Sequence, residues 1–286
     1  MPDKKHTHLA VVGGGPGGYA AAFRAADLGI ETTLIDVEEN PGGTCLYRGC
    51  IPSKALLHVA KVITDARRAP ECGVTFGEPT VDLDKVRAFS DAVVAQMTGG
   101  LGQLSNKRKI NYLRGRAALE DSNTLAIYHD DGSEEFLECD YMILAPGSRP
   151  ARFGPLIDSD RIMTSSDALR IADIPKNLLV IGGGYIGLEM GLVYAALGSK
   201  VTVVEMLDGI LPDTDRDLVK PLVKRLESEF EAIHVKTKVT DMTEQKNGIK
   251  VQLDGPDLER PSRIFDKVLV AVGRKPNSSG LNLKNT

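Results

Sequence analysis

Two stretches of the chain share one pattern of apolar and polar positions. Residues 9–36 read LAVVGGGPGGYAAAFRAADLGIETTLID. A short apolar strand enters a glycine turn, an Ala-rich helix closes near Gly29, and a second strand ends at Asp36. Residues 178–205 read LLVIGGGYIGLEMGLVYAALGSKVTVVE and repeat the layout, ending in Glu205. This is an internal repeat of a βαβ unit and it predicts an α/β architecture. Residues 53–69 fit a helix. Residues 81–107 fit a second helix that Gly99, Gly100 and Gly102 are expected to interrupt. Residues 109–145 alternate and contain the turn signal DDGS at 130–133, which predicts a β-meander. The strand-like YMILA at 141–145 ends in Pro146 and Gly147, and a domain boundary is expected near residue 150. Residues 233–272 again read as strands, with turns near Asn247-Gly248 and Asp254-Gly255. The run VLVAVGRKPN is a strand leading into a loop.

Composition narrows the class without naming a function. A chain of 286 residues suggests two domains. At 42% hydrophobic and 26% charged it has the make-up of a soluble globular protein with a sizeable core. A net charge of −4 gives no reason to expect a nucleic-acid or anionic-membrane partner. Lys4, Lys5 and the run from Leu9 to Ala22 imitate a signal peptide. That run holds five glycines and a proline, however, and reads as strand, turn and helix start. No stretch of 18 apolar residues is present, so no membrane span is expected. A cytoplasmic location is the expectation. Four cysteines do not make a secreted disulfide scaffold, and a disulfide in such a compartment would more naturally be catalytic than structural.

The glycines carry the first chemical signal. Gly13, Gly15 and Gly18 form G-x-G-x-x-G between the first strand and helix. The first allows a tight turn, the second lets a pyrophosphate approach the backbone, and the third lets helix and strand pack closely. The helix start then offers free N–H groups and a positive dipole end to phosphates. Asp36 closes the second strand, where it can accept hydrogen bonds from ribose hydroxyls. Gly182, Gly184, Gly187 and Glu205 repeat the set. An acid at that strand end favours NAD, because a 2′-phosphate would be repelled by it and would call for arginine. The expected fold is therefore α/β with two Rossmann-like dinucleotide-binding domains, each a three-layer ββα-type sheet plus a β-meander. Two dinucleotide sites in one chain need different occupants, and one flavin with one nicotinamide is the economical pairing.

The stretch GGTCLYRGCIPSK at 42–54 holds Cys45 and Cys50. They could be two small buried hydrophobes. They could be zinc ligands, although Cys72 and Cys139 are scattered and no histidines cluster nearby. They could also form a disulfide. Residues five apart in a regular helix are about 8–9 Å apart by Cα, and a disulfide needs less than about 7 Å. Pairing would therefore require a distorted helix, which Gly49 and Pro52 allow. A flavin can take a hydride on one face and exchange electrons with a dithiol on the other, so a redox disulfide would join the cysteines to the glycine units.

With these motifs in place, the chain resembles the pyridine nucleotide–disulfide oxidoreductases, and within them the dihydrolipoamide dehydrogenase branch. The resemblance rests on VVGGGPGGYAAAFRAADLG, GGTCLYRGCIPSKALLHVAK, SSDAL, VIGGGYIGLEMGLVYAALGSKVTVVE and VLVAVGRKPN, in the family's order. It implies FAD on an N-terminal domain (1–149) and NAD on a second domain (150–272). Residues 273–286 would begin a return to the first domain. It implies that Cys45 is the interchange thiol and Cys50 the charge-transfer thiolate against the flavin. Lys54 would sit near the flavin and pair with Glu189. One helical face can carry both Cys50 and Lys54, and a neighbouring ammonium favours a thiolate. Gly42, Gly43 and Thr44 would approach the flavin, and Gly147 would lie in its binding loop. Ala117 and Val239 would bring main chain to the two adenines, Tyr185 would stand at the nicotinamide entrance, and Gly273 with Arg274 would close the second site.

Ala145-Pro146-Gly147 departs from the family's usual Ala-Thr-Gly or Ala-Ala-Gly and removes one N–H. The family continues beyond residue 286 with a closing FAD segment and a dimer-interface domain bearing a His–Glu acid–base pair. His6, His8, His58, His129 and His234 all stand in other contexts. The expected activity is that of an NAD-dependent flavoprotein oxidising dihydrolipoamide on an acyltransferase subunit, in a homodimeric parent of which this chain would be an incomplete part of low activity. Mercuric or glutathione-type reductase activity is the alternative, the latter disfavoured by Glu205. A reading of another class is a non-catalytic nucleotide-binding fragment.

Overall fold

The computed structural model describes residues 5–154, 157–256 and 258–286. The chain forms two compact units: residues 1–51, 92–149 and 275–286 in the first, and 52–91 and 150–274 in the second.

The first unit is built on one six-stranded sheet. Its strands are β1 (Lys5–Val12), β2 (Thr32–Asp36), β3 (Asn111–Arg114), β4 (Arg116–Leu119), β5 (Thr124–Tyr128) and β6 (Glu134–Leu144), ordered β3-β2-β1-β6-β5-β4. β3, β2, β1 and β6 run parallel. Ala10 and Val11 are wholly buried, as the central strand of a parallel sheet demands, and this is why LAVV is an unbroken apolar run. The first strand of the segment expected to form a meander, β3, joins the parallel sheet instead. β6 is long enough to serve two partners: Glu134 to Glu138 pair antiparallel with β5, while Leu144 pairs parallel with Val12. The DDGS turn joins β5 to β6, with Gly132 at φ +82°. Helix α1 (Pro16–Asp27) has proline in its first turn, where a missing N–H costs nothing, and is followed by Gly29 at φ +79°. Leu281 is buried in this unit's core and accepts a bond from the Leu119 N–H at 2.9 Å.

Three helices follow α1: α2 (Gly43–Arg48), α3 (Cys50–Arg68) and α4 (Leu83–Lys107). The expected interruption of the 81–107 helix does not occur, and α4 runs unbroken through Gly99, Gly100 and Gly102. Each interior glycine costs a helix about 1 kcal/mol relative to alanine, and tertiary fit outweighs that here. A Cβ on Gly102 would lie 2.1 Å from the Asn40 side-chain oxygen, so the glycine admits the loop that leads to Gly42.

β7 (Ser148–Pro150) falls where the chain passes from the first unit to the second. The second unit carries β8 (Ile162–Met163), α5 (Ser165–Ala168), β9 (Asn177–Ile181), α6 (Tyr185–Ala196), β10 (Lys200–Val204), α7 (Arg216–Glu229) and β11 (Ala232–His234). There follow β12 (Lys238–Gln245), β13 (Gly248–Asp254), β14 (Ser262–Phe265) and β15 (Lys267–Val270), and β16 (Arg274–Pro276) falls where the chain returns to the first unit. A parallel sheet orders β11-β10-β9-β15-β8, and β12, β13 and β14 form a separate antiparallel sheet. A two-stranded ribbon pairs β7 with β16. One face of the parallel sheet buries Leu178, Val180, Val201 and Val203 against α6 and α7, together with Leu56 and Ala60 of α3. The other buries Leu179, Ile181 and Val204 against the antiparallel layer. Two faces covered by two layers account for the unbroken apolar runs Leu178–Ile181 in β9 and Val268–Val270 in β15.

Candidate functional site

In the first unit the glycine turn is tightly constrained. Gly13 sits at φ +104°, and a Cβ there would lie 2.1 Å from the Ala145 carbonyl oxygen. A Cβ on Gly18 would lie 1.6 Å from the Gly13 carbonyl oxygen. The protein itself therefore demands these two glycines. The residue between them differs. Gly15, at φ −71°, would bring its Cβ no nearer than 3.8 Å to any neighbour, the Gly43 Cα. In the second unit Gly182 (φ +110°) and Gly187 are likewise required, since added Cβ atoms would meet the Ala271 and Gly182 carbonyl oxygens at 2.4 and 2.3 Å. Gly184, at φ −77°, has open space around it. Neither backbone angle nor packing calls for glycine at 184, and the open space it leaves at the start of α6 has room for an anion to approach the helix N–H groups.

The acids close both turns. Asp36 accepts from the Gly14 N–H through Oδ2 and from the Glu38 N–H at 3.0 Å through Oδ1. Glu205 accepts from the Gly183 N–H at 2.7 Å and the Leu207 N–H at 2.8 Å. The structure also gathers the expected neighbours of the first turn. The Gly42 N–H donates to the Gly14 carbonyl at 2.7 Å, and a Cβ on Gly43 (φ +55°) would lie 2.4 Å from the Gly15 Cα. Ala117 is buried in β4, two residues beyond Gly115, whose N–H donates to the Asp36 carbonyl at 2.8 Å. Gly147 (φ +75°) lies in the loop after β6. There the Asn277 side chain donates to the Pro146 carbonyl at 3.0 Å and the Asn277 N–H to the Gly147 carbonyl at 2.9 Å. Asn277 had no signal in the sequence beyond its place in VLVAVGRKPN.

The cysteines lie in the same unit as this first turn. Thr44 and Cys45 are in α2, directly after Gly43, and Cys50 opens α3. Between them the chain leaves the helix at Gly49, where a Cβ would lie 3.0 Å from the Thr44 carbonyl oxygen. The break expected of a pairing-competent motif is present. The expected disulfide is not formed, and both residues stand as thiols, Cys50 the more exposed. Among the described residues no three His, Cys, Asp or Glu side chains converge as a metal site. Tyr19 of α1 was not singled out from the sequence. Burial pushes its phenol up from the ordinary value, and the thiolate forms of Cys45 and Cys50 would push it further.

In the second unit the Lys54 ammonium donates to both oxygens of Glu189, at 2.7 and 3.0 Å. Sequence reasoning missed Ser53, which is buried and donates to Glu189 Oε2 at 2.5 Å. The Ser53→Ala variant is expected to lower the stability of this unit by about 1–2 kcal/mol, the value of a hydrogen bond to a half-shielded charge. Thermal unfolding that leaves the midpoint unchanged would show the bond to be without net effect. Tyr185 stands exposed in the first turn of α6. Val239 is buried in β12 beside a bulge, two residues beyond Thr237, whose N–H donates to the Glu205 carbonyl at 2.9 Å. Gly273 (φ +118°) follows Ala271, the residue against Gly182. Its carbonyl accepts from the Ala151 N–H at 2.9 Å, and Arg274 opens β16. The imidazoles are placed elsewhere. His6 and His8 flank Asp140, and their hydrogen bonds hold its carboxyl below the usual range.

Residues 7–286 match the family described as Pyridine nucleotide-disulphide oxidoreductase. The chain belongs to this family. Among curated relatives, the dihydrolipoyl dehydrogenase of Haemophilus influenzae is 48% identical over 97% of this chain and 58% of its own length. That of Vibrio cholerae is 45% identical over 99% of this chain and 59% of its own length. Among solved structures, LpdA of Mycobacterium tuberculosis superposes with a TM-score of 0.87 at 27% identity, covering 98% of this chain and 61% of that one. A single-residue mutant of the Escherichia coli HOCl-induced flavoprotein disulfide reductase RclA, as its Cu(II) complex, gives a TM-score of 0.81 at 23% identity over 99% of this chain and 60% of its own, a likeness of fold. The chain thus spans about three-fifths of the length of these family members. Among the described residues no helix is long and apolar enough to cross a membrane.

Proposed function

We propose that this chain supplies the flavin, dithiol and nicotinamide parts of a cytoplasmic dihydrolipoyl dehydrogenase, with FAD on the first unit and NAD on the second. The observation that carries the reading is the sequence of contacts in the first unit: Gly43 packs on Gly15 at the start of α1, and Cys45 and Cys50 follow within seven residues. A thiol pair is thereby tied to a phosphate-binding turn. The names of the relatives agree with it.

In the proposed reaction a dihydrolipoamide thiolate attacks Cys45 Sγ of the oxidised pair, and the Cys45–Cys50 bond breaks to release the Cys50 thiolate. The second substrate thiolate then attacks the mixed disulfide, closing lipoamide and freeing Cys45. Two electrons now reside on the two cysteines. FAD, when bound, supplies two-electron transfer between this pair and NAD⁺. The Gly13, Gly15 and Gly18 turn with Asp36, Gly42 and Gly43 would hold FAD, and the Gly182, Gly184 and Gly187 turn with Glu205 would hold NAD. Lys54, anchored by Ser53 and Glu189, places a positive charge one helical turn beyond Cys50. The partner is lipoamide carried on an acyltransferase subunit, within a homodimeric enzyme.

Addition of dihydrolipoamide to the oxidised chain is expected to bleach FAD absorbance, and NAD⁺ to restore it. Flavin that stays oxidised under those conditions would overturn the reading. The coenzyme choice is tested separately. NADH is expected to bind more tightly than NADPH, because the Glu205 carboxylate repels a 2′-phosphate, and fluorescence titrations giving the opposite order would refute this.

A further inference from the structure

Glu205 and Asp36 do more in this fold than face a ribose. In each unit the carboxylate uses both oxygens on backbone N–H groups of its own unit. One oxygen takes the glycine 22 positions earlier, Gly183 or Gly14, and the other takes the residue two positions later, Leu207 or Glu38. The glycine so held presents its carbonyl to a second loop in both units. Leu211 N–H donates to the Gly183 carbonyl at 2.9 Å, and Gly42 N–H donates to the Gly14 carbonyl at 2.7 Å. The loop bearing Leu211 is in turn fixed by Arg216, whose guanidinium donates to the Ile210 carbonyl at 2.9 Å and to the Thr214 carbonyl. Side chains of different length, Asp and Glu, reach the same pair of amides in two separate units, so the arrangement is not an accident of one rotamer.

We propose that these carboxylates are positioning residues for the phosphate-binding turn. They fix the peptide at the middle glycine of GGG, and through it the entry to the helix whose N–H groups receive the pyrophosphate. Such an acid contributes to dinucleotide affinity even where no ribose hydroxyl is present. Exchanging it for arginine to favour NADPH leaves two amides without their acceptor and loosens the turn for both coenzymes. The inference rests on the dinucleotide reading of the second unit.

The experiment compares NADH with 2′,3′-dideoxyadenosine diphosphate, which keeps the pyrophosphate and lacks the ribose hydroxyls, on the 286-residue chain and its Glu205→Leu and Glu205→Gln variants. Glu205→Leu is expected to weaken both ligands, the dideoxy compound by about tenfold or more, as loss of a charged acceptor implies. Glu205→Gln, with one amide oxygen left, should fall between. If Glu205→Leu weakens NADH and leaves the dideoxy compound within a factor of about two, the acid acts on the ribose alone and the inference fails, while the dinucleotide reading stands. If the unaltered chain binds neither ligand, that reading fails and takes the inference with it. Should Glu205→Leu not fold, amide hydrogen exchange on Glu205→Gln decides. Gly183 and Leu207 are expected to exchange faster, with Leu179 and Val180 in β9 unchanged. Unaltered protection at Gly183 would overturn the proposal.

Discussion

The Gly18→Ala variant is expected to lose FAD binding while keeping NADH binding. The added methyl group would sit 1.6 Å from the Gly13 carbonyl oxygen and 2.8 Å from its carbon. Both are backbone atoms, and neither is free to move. The Gly13 N–H is bonded to the Ile35 carbonyl at 2.8 Å, and the Ala145 carbonyl oxygen occupies the place beside Gly13 that a Cβ would take. The only relief is for α1 to back away from β1, which takes its N–H groups from the place where phosphate would bind. Overpacking of this kind costs about 1–3 kcal/mol even where side chains can adjust, so a loss of at least about 100-fold in FAD affinity is expected where only backbone can. Gly17→Ala is the control. Its Cβ would meet the Ala145 Cβ at 3.9 Å, an ordinary contact, and its flavin affinity should stay within about twofold. Flavin fluorescence quenching reads both variants. Equal affinity of Gly18→Ala and the unaltered chain would show that this turn does not bind the flavin.

The contrast between Gly18 and Gly17 shows what a sequence can carry. The requirement at Gly18 is local: strand, turn and helix within one βαβ unit force it, and the spacing alone reveals it. The same holds for Gly187 and the two acids, whose partners Gly182, Gly183 and Gly14 lie within about thirty residues, the span of such a unit, whereas Gly182 is held by Ala271, far along the chain. What escaped the sequence depends on contacts between distant segments. Three glycines near the end of α4 read as a break, yet Asn40, some sixty positions earlier, occupies the space that Gly102 leaves. Ser53 carries no signal of its own in the sequence, because its partner Glu189 lies 136 positions away. The assignment of α3 was also beyond reach. The helix was legible, but its packing with Met190 and Tyr194 of α6 in the second unit follows from which sheet Leu56 and Ala60 bury against, and many sheets would accept that face. Pro146 is a different case. Its missing N–H was legible, whereas the amide of Asn277 that braces the loop from the far end of the chain was not.

The largest chemical effect is expected at the cysteines, and the two should fail differently. In a single turnover the reduced chain should convert one equivalent of lipoamide to dihydrolipoamide, its two thiols becoming a disulfide. This needs no flavin, only thiolate attack and resolution. Closure of the pair joins Cys45 of α2 to Cys50, the first residue of α3, across the departure from helix at Gly49. With Cys50→Ser, the Cys45 thiolate can still open the lipoamide ring, but no second thiolate resolves the product. Acid quenching should trap the lipoyl adduct on Cys45, and dihydrolipoamide formation should fall by about a thousandfold or more, as removal of one member of a paired device does. With Cys45→Ser, dihydrolipoamide formation should fall as far and no adduct should accumulate. Cys50 is the more exposed thiol in the structure, so exposure alone would predict the reverse. The adduct's position, read by mass spectrometry, decides between exposure and the order of roles proposed for the pair. An adduct on Cys50 in the Cys45→Ser variant would exchange the two roles. Full single-turnover activity in either variant would remove the pair from the reaction.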